Sequence, residues 1–166
     1  MPRLLILFAL VNLVIGSGAF VIGGILTPLA ADLSVSVPAA GQAMTAYAPG
    51  KWTLKEAFQH VIDTERVFTF RALWFARNAV SELPSMDQDA FVPESGANSR
   101  SWGSLLEEYS QVRESTLALF RGLPPVAWVR HGVASGNPVS VRALAFIIAG
   151  HELHHLNILK EHYQVA

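Results

Sequence analysis

A chain of 166 residues has room for one compact domain, or for an anchor and a small domain. A net charge of −1, without a basic stripe or interleaved basic and aromatic residues, argues against a nucleic-acid surface. Zero cysteines exclude disulfides, thiolate metal ligands and a cysteine nucleophile, so any thiol chemistry must come from a bound small molecule.

Hydrophobic residues make up 51% of the chain and charged ones 15%, and the first fifty residues cause the imbalance. Between Met1 and Gly50 only Arg3 and Asp32 carry charge, and residues 4–31 are apolar except for Asn12, Ser17 and Thr27. As a helix at ~1.5 Å per residue this run spans roughly 40 Å, more than the ~30 Å hydrocarbon core of a bilayer requires. It lacks the polar face of a soluble amphipathic helix, and Ala19 and Gly23 form a small-xxx-small pair suited to close packing in lipid. A secretory signal is the rival reading. The Met-Pro-Arg start is thin for one, the apolar stretch overlong, and Ala30-Ala31-Asp32 a poor cleavage site. An uncleaved transmembrane helix is expected. Residues 18–47 resemble the first transmembrane helix and following loop of a major facilitator efflux transporter. No second span follows, and one helix cannot build an alternating-access site. Arg3 precedes the span whereas Lys51, Lys55, Arg66 and Arg71 follow it. The positive-inside rule therefore places the remainder of the chain on the cytoplasmic face, against the orientation implied by the transporter likeness.

Three amphipathic helices are predicted beyond this point, over residues 53–78, 102–122 and 140–163. Pro84, Pro93 and Gly96 mark the loop at 81–101; Pro124, Pro125, Gly132, Gly136 and Pro138 mark the loop before the last helix. Ser101 and Ser140 are placed to cap the helices they precede. Trp52, Trp74, Trp102 and Trp128 read as packing residues. Glu107, Glu108, Arg113, Glu114 and Arg121 read as a solvated helix face. Asp87, Gln88, Asp89 and Asn98 suit either turn chemistry or the lining of a pocket.

The last helix carries the strongest chemical signal. Val141, Leu144, Ala145 and Ile148 form an apolar stripe at helical spacing. Continued by steps of three and four, the stripe reaches His151, His155, Ile158 and Leu159. Two imidazoles therefore project where the pattern calls for Leu or Ile. Side chains at i and i+4 are about 6 Å apart at Cβ, close enough to share one metal ion. A lone buried histidine is usually a hydrogen-bonded core residue, and a His-rich terminus is often plain surface, so a third ligand matters. His60, on the first of the three helices, is the candidate. His131 reads as a loop residue and His162 as solvent-exposed.

Several motifs point to a family. They include Tyr-Ala-Pro-Gly-Lys-Trp-Thr-Leu-Lys-Glu at 47–56, His-Val-Ile-Asp-Thr-Glu-Arg at 60–66 and Phe-Ala-Arg at 75–77. Asp-Gln-Asp-Ala at 87–90, Ser-Gly-Ala-Asn at 95–98, Gly-Asn-Pro-Val-Ser-Val-Arg at 136–142 and Gly-His-Glu-Leu-His-His at 150–155 follow in order. Residues 47–163 thereby resemble the DinB-like (YfiT-type) family of metal-binding helical bundles. The resemblance implies one histidine on the second bundle helix and an H-x-x-x-H pair on the fourth, which here are His60, His151 and His155. It implies a divalent metal, zinc or nickel, which in some relatives activates a low-molecular-weight thiol for S-transfer or isomerisation. Asp63 and Glu152, near the ligands in sequence, are candidates to orient them. His154, turned about 100° from His155, is a candidate for the outer shell or the surface.

The expected fold is therefore all-α: a DinB-like four-helix bundle whose usual first helix is replaced by a long hydrophobic, transmembrane helix. The chain divides into residues 1–48, transporter-like, and 49–166, metal-binding. Three amphipathic helices leave one open apolar groove, which residues 4–31 or a second copy in a homodimer would cover. The expected function is a metal-dependent small-thiol S-transferase or hydrolase acting on a small molecule at a membrane, or in the cytoplasm if the first helix packs into the bundle. The alternatives are a non-catalytic metal-binding or interaction module, or a transporter fragment without transport. No catalytic residue beyond the ligands is assigned.

Overall fold

The computed structural model describes residues 45–163. The expected membrane span at 4–31 and the transporter-like likeness at 18–44 lie outside the described residues. Among the described residues, no helix is long and apolar enough to cross a membrane.

Helix α1 runs over Leu54–Ala76. Thr53 starts it with a capping box: its hydroxyl accepts from the Glu56 N–H at 3.2 Å, and the Glu56 carboxylate accepts from the Thr53 N–H at 2.8 Å. Helix α3 covers Trp102–Arg121, and Ser101 caps it through the Ser104 N–H at 3.1 Å. The long terminal helix covers Val141–Tyr163; the Ser140 hydroxyl accepts from the Ala143 N–H at 3.1 Å.

Both segments read as loops contain regular structure. A short helix, α2, forms over Gln88–Glu94 because the Asp87 carboxylate caps the N–H groups of Asp89 and Ala90. Between α3 and the terminal helix, here α4, a 3-10 turn over Pro125–Val129 leads into an antiparallel hairpin of β1, His131–Ala134, and β2, Asn137–Ser140. The all-α expectation is amended to mostly helical. The hairpin arises because Ser135 and Gly136 both take positive φ, 54° and 72°, as a two-residue turn of the primed type requires. Leu83 extends this ribbon, donating to the Val133 carbonyl and accepting from the Ser135 N–H, both at 3.0 Å.

Helix α1 packs against α3 on one side and α4 on the other. The main apolar cluster gathers Phe75, Phe120, Trp128, Val141, Leu144 and Ile148 at one end of the bundle. A second joins Phe58, Ile62, Leu105 and Tyr109 between α1 and α3. A third, Leu54, Ala57 and Leu159, closes the other end of the α1–α4 seam. The histidines lie along that seam, between apolar groups that fix both helices.

One glycine is set by contact. A Cβ built on Gly132 would fall 2.1 Å from Cε1 of Phe75, a ring that is itself 1% exposed and packed on all sides. Gly132→Ala should therefore destabilise the chain by about 1–3 kcal/mol, as overpacked cores do. Thermal denaturation of the variant beside wild type measures it.

Candidate metal centre

His60 lies two turns into α1, on a helix whose start is fixed by the Thr53 cap. His151 and His155 face it from the middle of α4, where the apolar stripe delivers them. The His60 and His151 Nε2 atoms are 3.2 Å apart. Ring centroids are separated by 5.1 Å for His60–His151, 4.9 Å for His60–His155 and 4.5 Å for His151–His155. One nitrogen from each ring lies within 4.8 Å of the others. Two nitrogens each about 2.1 Å from a shared zinc ion, at angles of roughly 90–110°, sit about 3.0–3.4 Å apart. The 3.2 Å pair meets that spacing.

The electrostatics favour ligands over cations. Burial, and then the neighbouring His155, lowers the pKa of His60 to about 4. Burial lowers His151 to about 4 with help from His60 and His154, and His155 to about 4 with help from His151 and His154. All three rings are neutral at pH 7 and offer lone pairs. His155 Nδ1 is buried with no hydrogen-bond partner among the described residues. Such an atom costs about 1–3 kcal/mol when left unmade, and it fits a site completed by something other than protein. The donor set is all nitrogen, which suits zinc, nickel, iron or copper and not the oxygen-seeking calcium or magnesium.

A pH dependence follows. The folded pKa values near 4 lie below the ordinary 6.5, so the unfolded chain binds more protons between these limits. The stability held in the neutral rings is fully present above pH 6.5 and is lost as pH falls toward 4. Urea unfolding of metal-free protein should show midpoints that decline through this window, and less steeply in His155→Ala.

The surroundings differ from the sequence expectation in three places. Asp63 accepts from Gln59 Nε2 at 3.0 Å and lies 3.5 Å from Arg66 Nη1, so it belongs to a network on the α1–α3 side. Thr64 is the residue beside His60, with its hydroxyl 3.3 Å from Nδ1. Positions i+3 and i+4 both stay near the face of residue i, but Asp63, at i+3, is held by Gln59 and Arg66, and it is Thr64, at i+4, that reaches the His60 ring. Glu152 does not orient His151. It accepts from the Tyr109 hydroxyl at 2.5 Å and from Arg113 Nη2 at 2.7 Å, and the same nitrogen donates to Glu65 at 2.8 Å. Arg113, expected on a solvated face, is thus buried at the centre of a charged cluster joining α1, α3 and α4. His154 is exposed, its ring 5.3 Å from that of His155.

Above the histidines opens a cavity of about 430 Å³. His151 and His155 form part of its lining with His154, Ile158 and Tyr163 of α4. The segment before α1 supplies Tyr47, Gly50, Lys51 and Trp52, α1 supplies Ala57, and α2 supplies Gln88 and Asp89. Trp52 lies 4.9 Å from the His60 ring, and its carbonyl accepts from the Tyr163 hydroxyl. Tyr47 stacks on His162 at 4.5 Å. His162, although exposed, therefore helps to hold the wall. Asn98 lies apart from the cavity lining; it donates to Glu56 at 2.9 Å and accepts from the Thr53 hydroxyl at 2.8 Å.

The class so defined is a mostly helical bundle with a three-histidine group in its seam and a cavity over it. Residues 28–159 match the DinB superfamily, and the chain belongs to that superfamily. The match begins inside the segment expected to end at residue 48. Among solved structures the chain is similar to YfiT from Bacillus subtilis, described as a probable metal-dependent hydrolase with an unusual four-helix bundle topology. Identity is 17%, the TM-score is 0.65, and the likeness covers 92% of this chain and 89% of that one. It shows the four-helix-bundle fold, to which the described residues contribute three long helices. Comparison with curated proteins finds no match.

Proposed function

We propose that the chain is a metal-dependent enzyme acting on a small electrophilic molecule, by hydrolysis or by S-transfer from a low-molecular-weight thiol, with His60, His151 and His155 as ligands of zinc or nickel. The observation that carries this reading is the group of three neutral imidazoles, two of which, His151 and His155, line a cavity of about 430 Å³, a volume suited to a small molecule. A bound divalent ion with three protein ligands keeps positions open and makes water or a thiol nucleophilic near neutral pH. The description of YfiT as a probable metal-dependent hydrolase supports the same reading.

The chain's own residues have definable parts in it. Thr64 limits rotation of the His60 ring. Trp52 and Ile158 present apolar surface that displaces water above the histidines. The absence of cysteine means that a sulfur nucleophile has to be brought in, and the cavity has room for one beside a substrate.

Elemental mass spectrometry of the purified full chain is the test, joined to turnover of a thiol with an aryl halide. About one zinc or nickel ion per chain and turnover that disappears in His151→Ala are expected. Metal binding without turnover for any thiol or ester would leave a metal-binding module and refute the enzyme reading.

A further inference from the structure

Several charged side chains of α1, α3 and the segment before α3 are committed to partners. Lys55 Nζ donates to the carbonyl of Arg100 at 2.6 Å, and Glu56 is occupied by the capping box and Asn98. Arg100 and Arg66 both pair with Glu108. Asp87, not Asp89, caps α2, which leaves the Asp89 carboxylate without that duty. Lys51 and Asp89 are the charged residues, histidines aside, that the cavity lining contains. Both line the cavity, both are exposed, and neither side chain has an ion-pair partner among the described residues.

We propose that this cavity binds a zwitterionic small molecule, with its carboxylate on Lys51, its ammonium on Asp89 and its reactive end at the histidines. Two opposite charges in the lining of one cavity, with no ion pair between them, suit a ligand that carries both charges at one end. A dianion would meet Asp89 and a dication would meet Lys51, so the pair selects against each. Trp52 and Ile158, in the same lining, offer apolar surface for a short methylene chain. The ligand class is an α-amino acid head joined by such a chain to a soft donor or a scissile bond. This assignment names the ligand of the site proposed above and rests on that metal reading.

Cobalt-loaded full-length protein tests it, since cobalt(II) accepts the same nitrogen ligands and reports a bound thiolate by a new charge-transfer absorption. The probes, titrated without oxygen, are three thiols. γ-Glutamylcysteine carries a free α-amino acid head remote from its sulfur. Glutarylcysteine lacks that ammonium, and 4-aminobutyrylcysteine lacks that carboxylate. Wild type should bind γ-glutamylcysteine about fivefold more tightly than either analogue, the scale of one partly exposed charge pair. Asp89→Ala should erase the preference over glutarylcysteine alone, and Lys51→Ala the preference over 4-aminobutyrylcysteine alone. Equal binding of all three thiols by wild type, or variants that weaken all three alike, overturns the zwitterion assignment while the metal reading stands. Failure to take up cobalt overturns the metal reading first and this assignment with it.

Discussion

His60→Ala should lower zinc affinity by about 10²–10³-fold while leaving the helical content of the metal-free protein near wild type. Zinc sites in small domains are worth about 10–16 kcal/mol at neutral pH. Shared over three protein ligands, that is several kcal/mol for each, and every 1.4 kcal/mol is tenfold. The metal-free protein responds differently because the three rings are poorly satisfied without an ion. His60 and His151 bring their Nε2 atoms to 3.2 Å, and only one hydrogen bond fits between them. His155 Nδ1 has no partner among the described residues. Deleting one ring removes buried packing but also removes an unfavourable neighbour. Zinc competition with a chromophoric chelator, alongside circular dichroism of the metal-free variants, separates the two effects. His154→Ala is the internal control: its ring is exposed and lies outside the three-histidine group, so zinc affinity should change by less than about threefold. Equal losses in His60→Ala and His154→Ala would mean that metal is held at the surface.

His151 and His155 were legible because helical periodicity is a local property. Val141, Leu144 and Ile148 set the face, and the positions of His151 and His155 follow by counting. His60 was a candidate as the histidine available on another helix, and the family likeness matched it to a ligand position, since nothing local says which face of α1 meets α4. Three kinds of feature were not legible. The hairpin at 131–140 depends on Ser135 and Gly136 adopting left-handed backbone together, and a Gly-rich segment containing Pro138 reads equally as loop. Around the site, closeness in sequence does not give direction. Asp63 and Glu152 lie near ligands along the chain yet bond to Gln59, Arg66, Tyr109 and Arg113, whereas Thr64, at i+4 from His60, reaches its ring. Arg113 reads as surface from its charged neighbours Glu107, Glu108 and Glu114. Its burial becomes visible only when Glu65 and Glu152 arrive from two other helices.

Arg113→Met should destabilise the bundle by about 3–5 kcal/mol at pH 7, the largest loss of folding stability expected from one substitution among the described residues. Arg113 is 6% exposed, and its Nη2 reaches both Glu65 at 2.8 Å and Glu152 at 2.7 Å. Methionine keeps much of the apolar volume and removes the cation, so two buried carboxylates would face each other without a counter-charge. Breaking a buried ion pair from one side costs more than the pair was worth, because the partner's desolvation is left uncompensated. Burial already raises both glutamates above the usual carboxylate range, with Arg113 pulling them back down. Without Arg113 they rise further. A carboxyl whose folded pKa is raised holds its stability below the unfolded value and loses it as pH climbs through the folded one. The gap between Arg113→Met and wild type should therefore narrow on acidification from pH 7 to pH 5. The histidine contribution, common to both proteins, cancels in the difference. Adding Glu65→Gln and Glu152→Gln to Arg113→Met should recover part of the loss at pH 7 by removing the unpaired charge. Tyr109 adds a separate bond, donating to Glu152 at 2.5 Å, and burial with the adjacent Glu152 pushes its phenol well above the usual range, so it stays a donor throughout. Chemical denaturation of the single and triple variants at the two pH values decides the matter. A pH-independent loss, or a triple variant no better than the single, would assign the cost to packing rather than to charge. The cluster also bears on the metal centre through α4, because Glu152 stands between His151 and His155 on the same turn. Tying that turn to α1 and α3 holds both rings toward His60, which makes the buried charge part of how the bundle keeps its three imidazoles together.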